Sequence, residues 1–225
     1  MIRTCDARVM LAALAGSALI AAIASEGAMA ETVNFDSFSA GALPAEWICG
    51  VTGSGASRWT VQTDASAPSK PNVVRQSAVG DFPWCALKDV SLADGYVEVR
   101  FKALSGRRDQ AGGLMWRWKD GDNYYVARAN ALENNVSLYY TANGRRNTIR
   151  YVDAPVPLNT WHTLRVEFTA AAIKVSLNGK TYIDVQDNRI AGAGAVGMWT
   201  KADSVTVFDD FSFGGIGQTK GLSAR

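Results

Sequence analysis

The chain has 225 residues, a formal net charge of +2, one histidine, three cysteines and 48% hydrophobic residues. A balance of 23 basic against 21 acidic residues leaves no electrostatic footprint for nucleic acid or an acidic membrane surface. A single histidine excludes a histidine-rich zinc centre, and the length suits one domain with a real core.

Residues 1–30 read as a secretory signal. Arg3 and Arg8 charge its start, a small and apolar run covers Val9 to Ala24, and Ala28-Met29-Ala30 supplies an A-x-A cleavage site. Glu31 is therefore the expected mature N-terminus. The apolar run falls short of the roughly 20 residues that cross a bilayer, and the expected destination is the periplasm or the exterior, with no membrane span. Cys5 leaves with this segment. Cys49 and Cys85 remain as an even pair in an oxidising compartment and are expected to form a disulfide, with two separate buried thiols as the alternative.

Residues 39–57 and 64–72 are rich in glycine, serine, alanine and proline and read as surface loops. From Arg58 the pattern has period two. In Tyr96 to Lys102, Val97, Val99 and Phe101 fall on one face, and Glu98, Arg100 and Lys102 on the other. Thr163 to Phe168 and Ile173 to Leu177 repeat that alternation. Asp120 to Asn123 and Pro155 to Asn159 read as connections, while Asn143-Gly144 and Asn178-Gly179 are type I′ hairpin signals, because both positions tolerate positive φ. About a dozen short strands with no helical period predict an all-β fold, a two-sheet antiparallel β-sandwich over residues 31–213. Residues 214–225 turn small and polar and read as a flexible tail.

Several segments carry a resemblance: Gly112-Gly113-Leu114-Met115-Trp116-Arg117, Asn123-Tyr124-Tyr125-Val126-Ala127-Arg128, Asn159 to Glu167, Leu177-Asn178-Gly179-Lys180, and Gly194 to Val205 running into Phe208-Asp209-Asp210-Phe211. In this order they resemble the concanavalin A-like lectin and glucanase superfamily, a jelly-roll fold, and within it laminin-G-like modules and the 3-keto-disaccharide hydrolase domain. The resemblance covers about residues 32–213 and implies a sandwich that holds sugars on the concave outer face of one sheet. It does not carry a function, since one sandwich serves lectins, hydrolases and adhesion modules alike.

Alternation selects the outward residues. Met115 and Arg117 oppose Leu114 and Trp116, Glu98 and Arg100 oppose Val97 and Val99, and Trp199 and Lys201 oppose Val196 and Met198; Arg128 is placed outward on a strand of mixed parity. Glu98, Arg100, Arg117, Arg128, Trp199 and Lys201 form the candidate carbohydrate surface, because aromatic faces stack on apolar sugar faces and guanidinium groups bond hydroxyls or a carboxylate. Ordinary solvated sheet residues are the alternative. Trp47, Trp59, Trp116 and Trp161 read as core or loop packing, and His162 as buried beside Leu164 and Val166.

The acidic Glu-x-Asp-x-x-Glu motif of the superfamily's glucanases is absent, leaving Glu98, beside Arg100 and near Arg117, and Asp203 as isolated candidate carboxylates. The resemblance also implies a structural calcium ion held by such aspartates, Asp36, Asp209 and Asp210, with backbone carbonyls, in segments that read as matching first and last strands; turn capping is the alternative. Asn135-Val136-Ser137 fits the N-glycosylation pattern, which matters only in a eukaryotic source. The first functional expectation is an exported protein with a carbohydrate ligand. A hydrolase of 3-keto-disaccharides or related glycosides, and a structural or adhesion domain with protein partners, are the alternatives.

Overall fold

The computed structural model describes residues 30–215. The signal segment expected over residues 1–30 and the tail expected over residues 214–225 therefore fall almost wholly outside the described residues. Sixteen strands follow one another: β1 Glu31–Val33, β2 Gly41–Ala42, β3 Trp47–Gly55, β4 Trp59–Thr63, β5 Asn72–Gln76, β6 Gly80–Leu92, β7 Gly95–Ser105, β8 Ala111–Asp120, β9 Asn123–Asn130, β10 Asn135–Ala142, β11 Arg145–Asp153, β12 His162–Thr169, β13 Ala172–Leu177, β14 Lys180–Gln186, β15 Gly194–Trp199 and β16 Val205–Gly214. No helix occurs among the described residues.

The strands form two antiparallel sheets. The nine-stranded sheet runs β14-β13-β12-β7-β16-β5-β4-β2, with β1 also on β16; the seven-stranded sheet runs β11-β10-β9-β8-β15-β6-β3. Period-two patterning produces this directly. Val97, Val99 and Phe101 of β7 are fully buried, and Val97 and Val99 stand opposite Val166 and Leu164 of β12. They pack between the sheets with Leu114, Trp116, Val196, Met198, Phe208 and Phe211. Each such side chain contributes about 1.5 to 3 kcal/mol on burial. Both Asn-Gly turns have the positive φ angles that a type I′ hairpin requires, 50° and 74° at Asn143-Gly144 and 51° and 78° at Asn178-Gly179.

One predicted loop is partly a strand. Residues 47–55 form β3, the edge of the seven-stranded sheet, in register with β6. A glycine here serves packing rather than a turn: a Cβ on Gly50 would stand 2.6 Å from the Trp84 ring, so only glycine lets that indole lie against the strand. Residues 64–71 do form a loop, between β4 and β5.

Cys49 and Cys85 face each other across β3 and β6 and are disulfide-bonded, which ties the sheet edge to its neighbour. The bridge closes a loop with a sequence separation of 36. Reduction is expected to lower stability by about 3 to 4 kcal/mol on the chain-entropy account, read as a shift in the urea midpoint.

Candidate functional site

The outer face of the seven-stranded sheet is concave and lined with side chains that alternation on β6, β8, β9, β10 and β15 turns away from the core. Its curvature can be judged from one contact. The Tyr124 hydroxyl on β9 donates to Thr52 Oγ1 on β3 at 2.8 Å, and Thr52 donates to the Gly121 carbonyl. β3 and β9 are four places apart in the sheet order, about 19 Å in a flat sheet. The sheet therefore curls, and its aromatic residues fill the hollow.

Trp84, Met115, Tyr124, Val126, Tyr139 and Trp199 pack there as a second apolar cluster, with Phe82 and Trp118 half-buried at its surface. Phe82 stacks on Trp199 with centroids 5.7 Å apart, and Trp84 lies 5.3 Å from Trp118. Arg146, from edge strand β11, caps the group: its guanidinium carbon is 4.2 Å from the Tyr139 ring and 4.6 Å from Phe82.

Beside this aromatic floor lies a polar cluster. Arg128 is 1% exposed, and its Nη1 donates to Asp109 Oδ2 at 3.3 Å. Its Nη2 donates to Glu133 Oε2 at 2.6 Å and to Asn135 Oδ1 at 3.0 Å. Asp109, fully buried, also meets the Lys201 ammonium at 2.7 Å and accepts from Asn130 Nδ2 at 3.0 Å. Asn135 donates to Glu133 Oε2 at 2.9 Å and to the Tyr151 hydroxyl at 2.5 Å. Burial alone raises the Glu133 pKa, but the Asn135 amide and the Arg128 charge hold it below the ordinary glutamate value.

The loop that carries Asp109 is itself held in place. Asp203 accepts backbone N–H bonds from Arg107 at 2.8 Å, Arg108 at 2.9 Å and Asp109 at 3.1 Å. Against the burial penalty, these donors together keep its carboxyl below the usual aspartate range. Asp203 is a positioning residue for Asp109.

The six residues selected from sequence divide among three places. Arg128, Trp199 and Lys201 lie on the concave face, but Trp199 is fully buried beneath Phe82 and Arg146 and offers no open stacking surface. Arg117 does not face outward: a bulge in β8, where Arg117 takes φ 46°, breaks the alternation. Its guanidinium plugs one end of the sandwich, donating to the carbonyls of Ala93 at 3.0 Å, Ala170 at 2.7 Å and Ile190 at 3.2 Å. Glu98 and Arg100 lie on β7, in the other sheet, and face the opposite side of the molecule. Glu98 pairs there with Arg165 at 3.4 Å, whereas Arg117, the neighbour expected for it, pairs with Asp94. Asp109, Glu133, Asn135 and Arg146 join the site without having been selected from sequence.

His162 is buried as expected, with Nε2 3.0 Å from the Pro157 carbonyl and Nδ1 3.1 Å from the Asn178 amide nitrogen. Nε2–H donates to Pro157 and Nδ1 accepts from Asn178, which defines the neutral tautomer. Trp47, Trp59 and Trp116 are core, and Trp161 lies half-buried under Lys102. Asn135 is fully buried in the polar cluster, so the Asn135-Val136-Ser137 sequence presents no acceptor in the folded protein.

The carboxylates expected to hold calcium anchor the loop between β4 and β5. Asp36 accepts from the Asn72 amide at 2.9 Å, and Asp209 accepts from the Ser69 amide at 2.9 Å, its hydroxyl at 2.7 Å and the Asp210 amide at 2.7 Å. The Ser69 hydroxyl and the Asn72 side-chain amide also donate to the carbonyls of Asn34, Phe35, Asp36 and Phe38, and among the described residues no group of three or more His, Cys, Asp or Glu side chains is placed to hold a metal. A calcium ion held at this end is expected to raise the melting temperature at millimolar calcium, an effect that Asp210→Ala abolishes; no rise would remove it.

Comparison with known proteins agrees with this fold. Levanase of Bacillus subtilis (strain 168) is 27% identical over 126 residues, which is 55% of this chain and only 18% of the levanase. Among solved structures, carbohydrate binding module CBM66 from Bacillus subtilis has a TM-score of 0.61 at 20% identity, over 73% of this chain and 96% of its own. The cellulose induced protein Cip1 has 0.59 at 15% identity, covering 81% of this chain and 96% of its own. The Bacillus licheniformis β-glucanase has 0.55 at 13% identity, covering 85% and 99%. These structures share the jelly-roll sandwich. A family model described as a 3-keto-alpha-glucoside-1,2-lyase-like domain matches residues 46–212, nearly all of both sheets, and the chain belongs to that family.

Proposed function

We propose that this domain binds a saccharide on the concave face of the seven-stranded sheet. The observation that carries the reading is the Arg128–Asp109 pair, buried on the outer face of a sheet and flanked by the partly exposed Glu133, Lys201 and Tyr151. Desolvating a charge pair is costly and adds little to stability over apolar packing. A preorganised set of donors and acceptors beside aromatic rings is what sugar hydroxyls require. The resemblance to a carbohydrate binding module and the family description support the same reading.

A glycan array tests it, using the protein and its Lys201→Ala and Tyr151→Ala variants, both at partly exposed positions. Each variant is expected to weaken binding about tenfold or more, that is by about 1.4 kcal/mol or more. Undiminished binding by both would remove the site.

The family description favours a second reading, cleavage of a 3-keto-α-glucoside. Glu133, kept ionised beside Arg128, could then accept a proton from a bound substrate. Product analysis on any glycan that binds separates the two readings, since a binding module returns its ligand intact.

Export is part of the proposal. The signal-like residues 1–30 and the Cys49–Cys85 bridge, a bond of oxidising compartments, support it. The protein recovered outside the cytoplasm is expected to begin at Glu31 by intact mass; a chain retained inside with its leader would contradict export.

A further inference from the structure

The charges of the concave face do not balance locally. Asp109 and Glu133 answer Arg128, and Asp109 also answers Lys201. Arg146 is left over. Among the described residues it makes no ion pair within 4.0 Å, and its Nη1 is buried without a hydrogen-bond partner. What holds it is a bed of rings, Tyr139, Phe82 and Trp199.

Stacking on aromatic faces favours a guanidinium but leaves its in-plane N–H donors unused. A buried donor without a partner costs about 1 to 3 kcal/mol, more when charged. Burial presses the Arg146 pKa down, with the nearby Arg128 charge acting in the same direction and Tyr139 and Asp109 opposing, yet arginine stays protonated at any ordinary pH. The face therefore carries a permanent, partly desolvated cation whose plane is fixed and whose donors await an acceptor. A neutral hydroxyl answers one donor and none of the charge. A carboxylate answers both, since its two oxygens match the spacing of a guanidinium fork.

We propose that the saccharide bound on this face carries a carboxylate, as in a uronate-containing glycan, and that Arg146 receives it. This inference rests on the saccharide reading. The aromatic rings under Arg146 orient the fork, and Phe82, half-buried at its side, offers apolar surface to the sugar ring that bears the acid.

The test uses matched pairs of galacturonate, glucuronate and mannuronate oligomers and their neutral methyl esters, titrated calorimetrically into the protein and its Arg146→Gln and Arg146→Lys variants. At least one acid is expected to bind about tenfold or more tighter than its ester, with the preference shrinking as salt rises. Arg146→Gln is expected to abolish the preference while residual affinity for the ester remains. Arg146→Lys is expected to retain only part of it, because an ammonium lacks the planar fork. Melting temperatures of both variants show that they are folded. Equal binding of acids and esters, or an acid preference that survives in Arg146→Gln, would overturn the inference and leave the saccharide reading standing. Neutral glycans that bind while every uronate fails would do the same. No binding of any saccharide, here or on the array, would sink both.

Discussion

Asp109→Ala is expected to destabilise the protein by about 3 to 5 kcal/mol, the usual cost of leaving one member of a buried ion pair alone. Asp109 is fully buried and is bonded by Arg128, Lys201 and Asn130 at once. Its removal leaves the 1%-exposed Arg128 guanidinium with Glu133 as its remaining carboxylate. The loss is read as a lowered urea midpoint at unchanged slope. The double variant Arg128→Met/Asp109→Leu separates fold from function. Replacing both charges by apolar groups of similar size is expected to restore most of the stability, because the desolvation cost disappears with the pair. Saccharide binding is expected to stay absent in both. A double variant that recovered stability and also bound sugar normally would show that the pair only fills space.

The second large effect is a pH dependence that originates at the other end of the sandwich. Burial raises the Asp209 carboxyl from 3.8 to about 6, against hydrogen bonds from Ser69 and the Asp210 amide and with the Asp210 charge adding to the rise. Its folded pKa lies above its unfolded one, so folding takes up a proton between about pH 4 and 6. The associated stability is fully present below the unfolded value and is lost as pH rises through about 6. Integrated over that interval, the loss is about 3 kcal/mol. Glu133, Asp203 and Asp64 act in the opposite sense: their lowered pKa values remove stability only as pH falls below about 4. Stability is therefore expected to peak on the acidic side of neutrality. Asp209→Asn isolates the contribution, because an amide keeps the shape and does not titrate. The difference between variant and parent in unfolding free energy is expected to change by about 3 kcal/mol from pH 4 to 7, in the variant's favour. A constant difference would show that Asp209 does not take up a proton on folding.

The fold is readable because its signals are local. Val97, Val99 and Phe101 alternate with charged neighbours, both Asn-Gly turns have the geometry their chemistry demands, and Cys49 and Cys85 meet as an oxidised pair. The same alternation places Trp199 and Lys201 on the outer, concave face of their sheet. Three physical causes hide the rest. The bulge at Arg117 inverts parity at one residue, which no period-two count detects. β7 is followed in the chain by β8 and β9, which belong to the other sheet, so Glu98 on β7 and Arg128 on β9 turn away from one another although both are outward. Asp109 sits in a turn held by Asp203, 94 residues further on, and in sequence its surroundings read only as a polar connection. Arg146 has one available signal: it follows the Asn143-Gly144 hairpin, which returns β11 beside β10 and so beside Tyr139.

The position of β16 shapes how the chain reaches this structure. β16 is central in the nine-stranded sheet, where it pairs with β7, β5 and β1, yet it is the last strand of the sixteen. Within the sheet β12, β13 and β14 continue outward from β7, while β4 and β5 connect to that half through Val205–Gly214. The sheet thus closes through contacts of long sequence separation, which predicts slow folding: the two halves share one core only once Val205–Gly214 is in place between them.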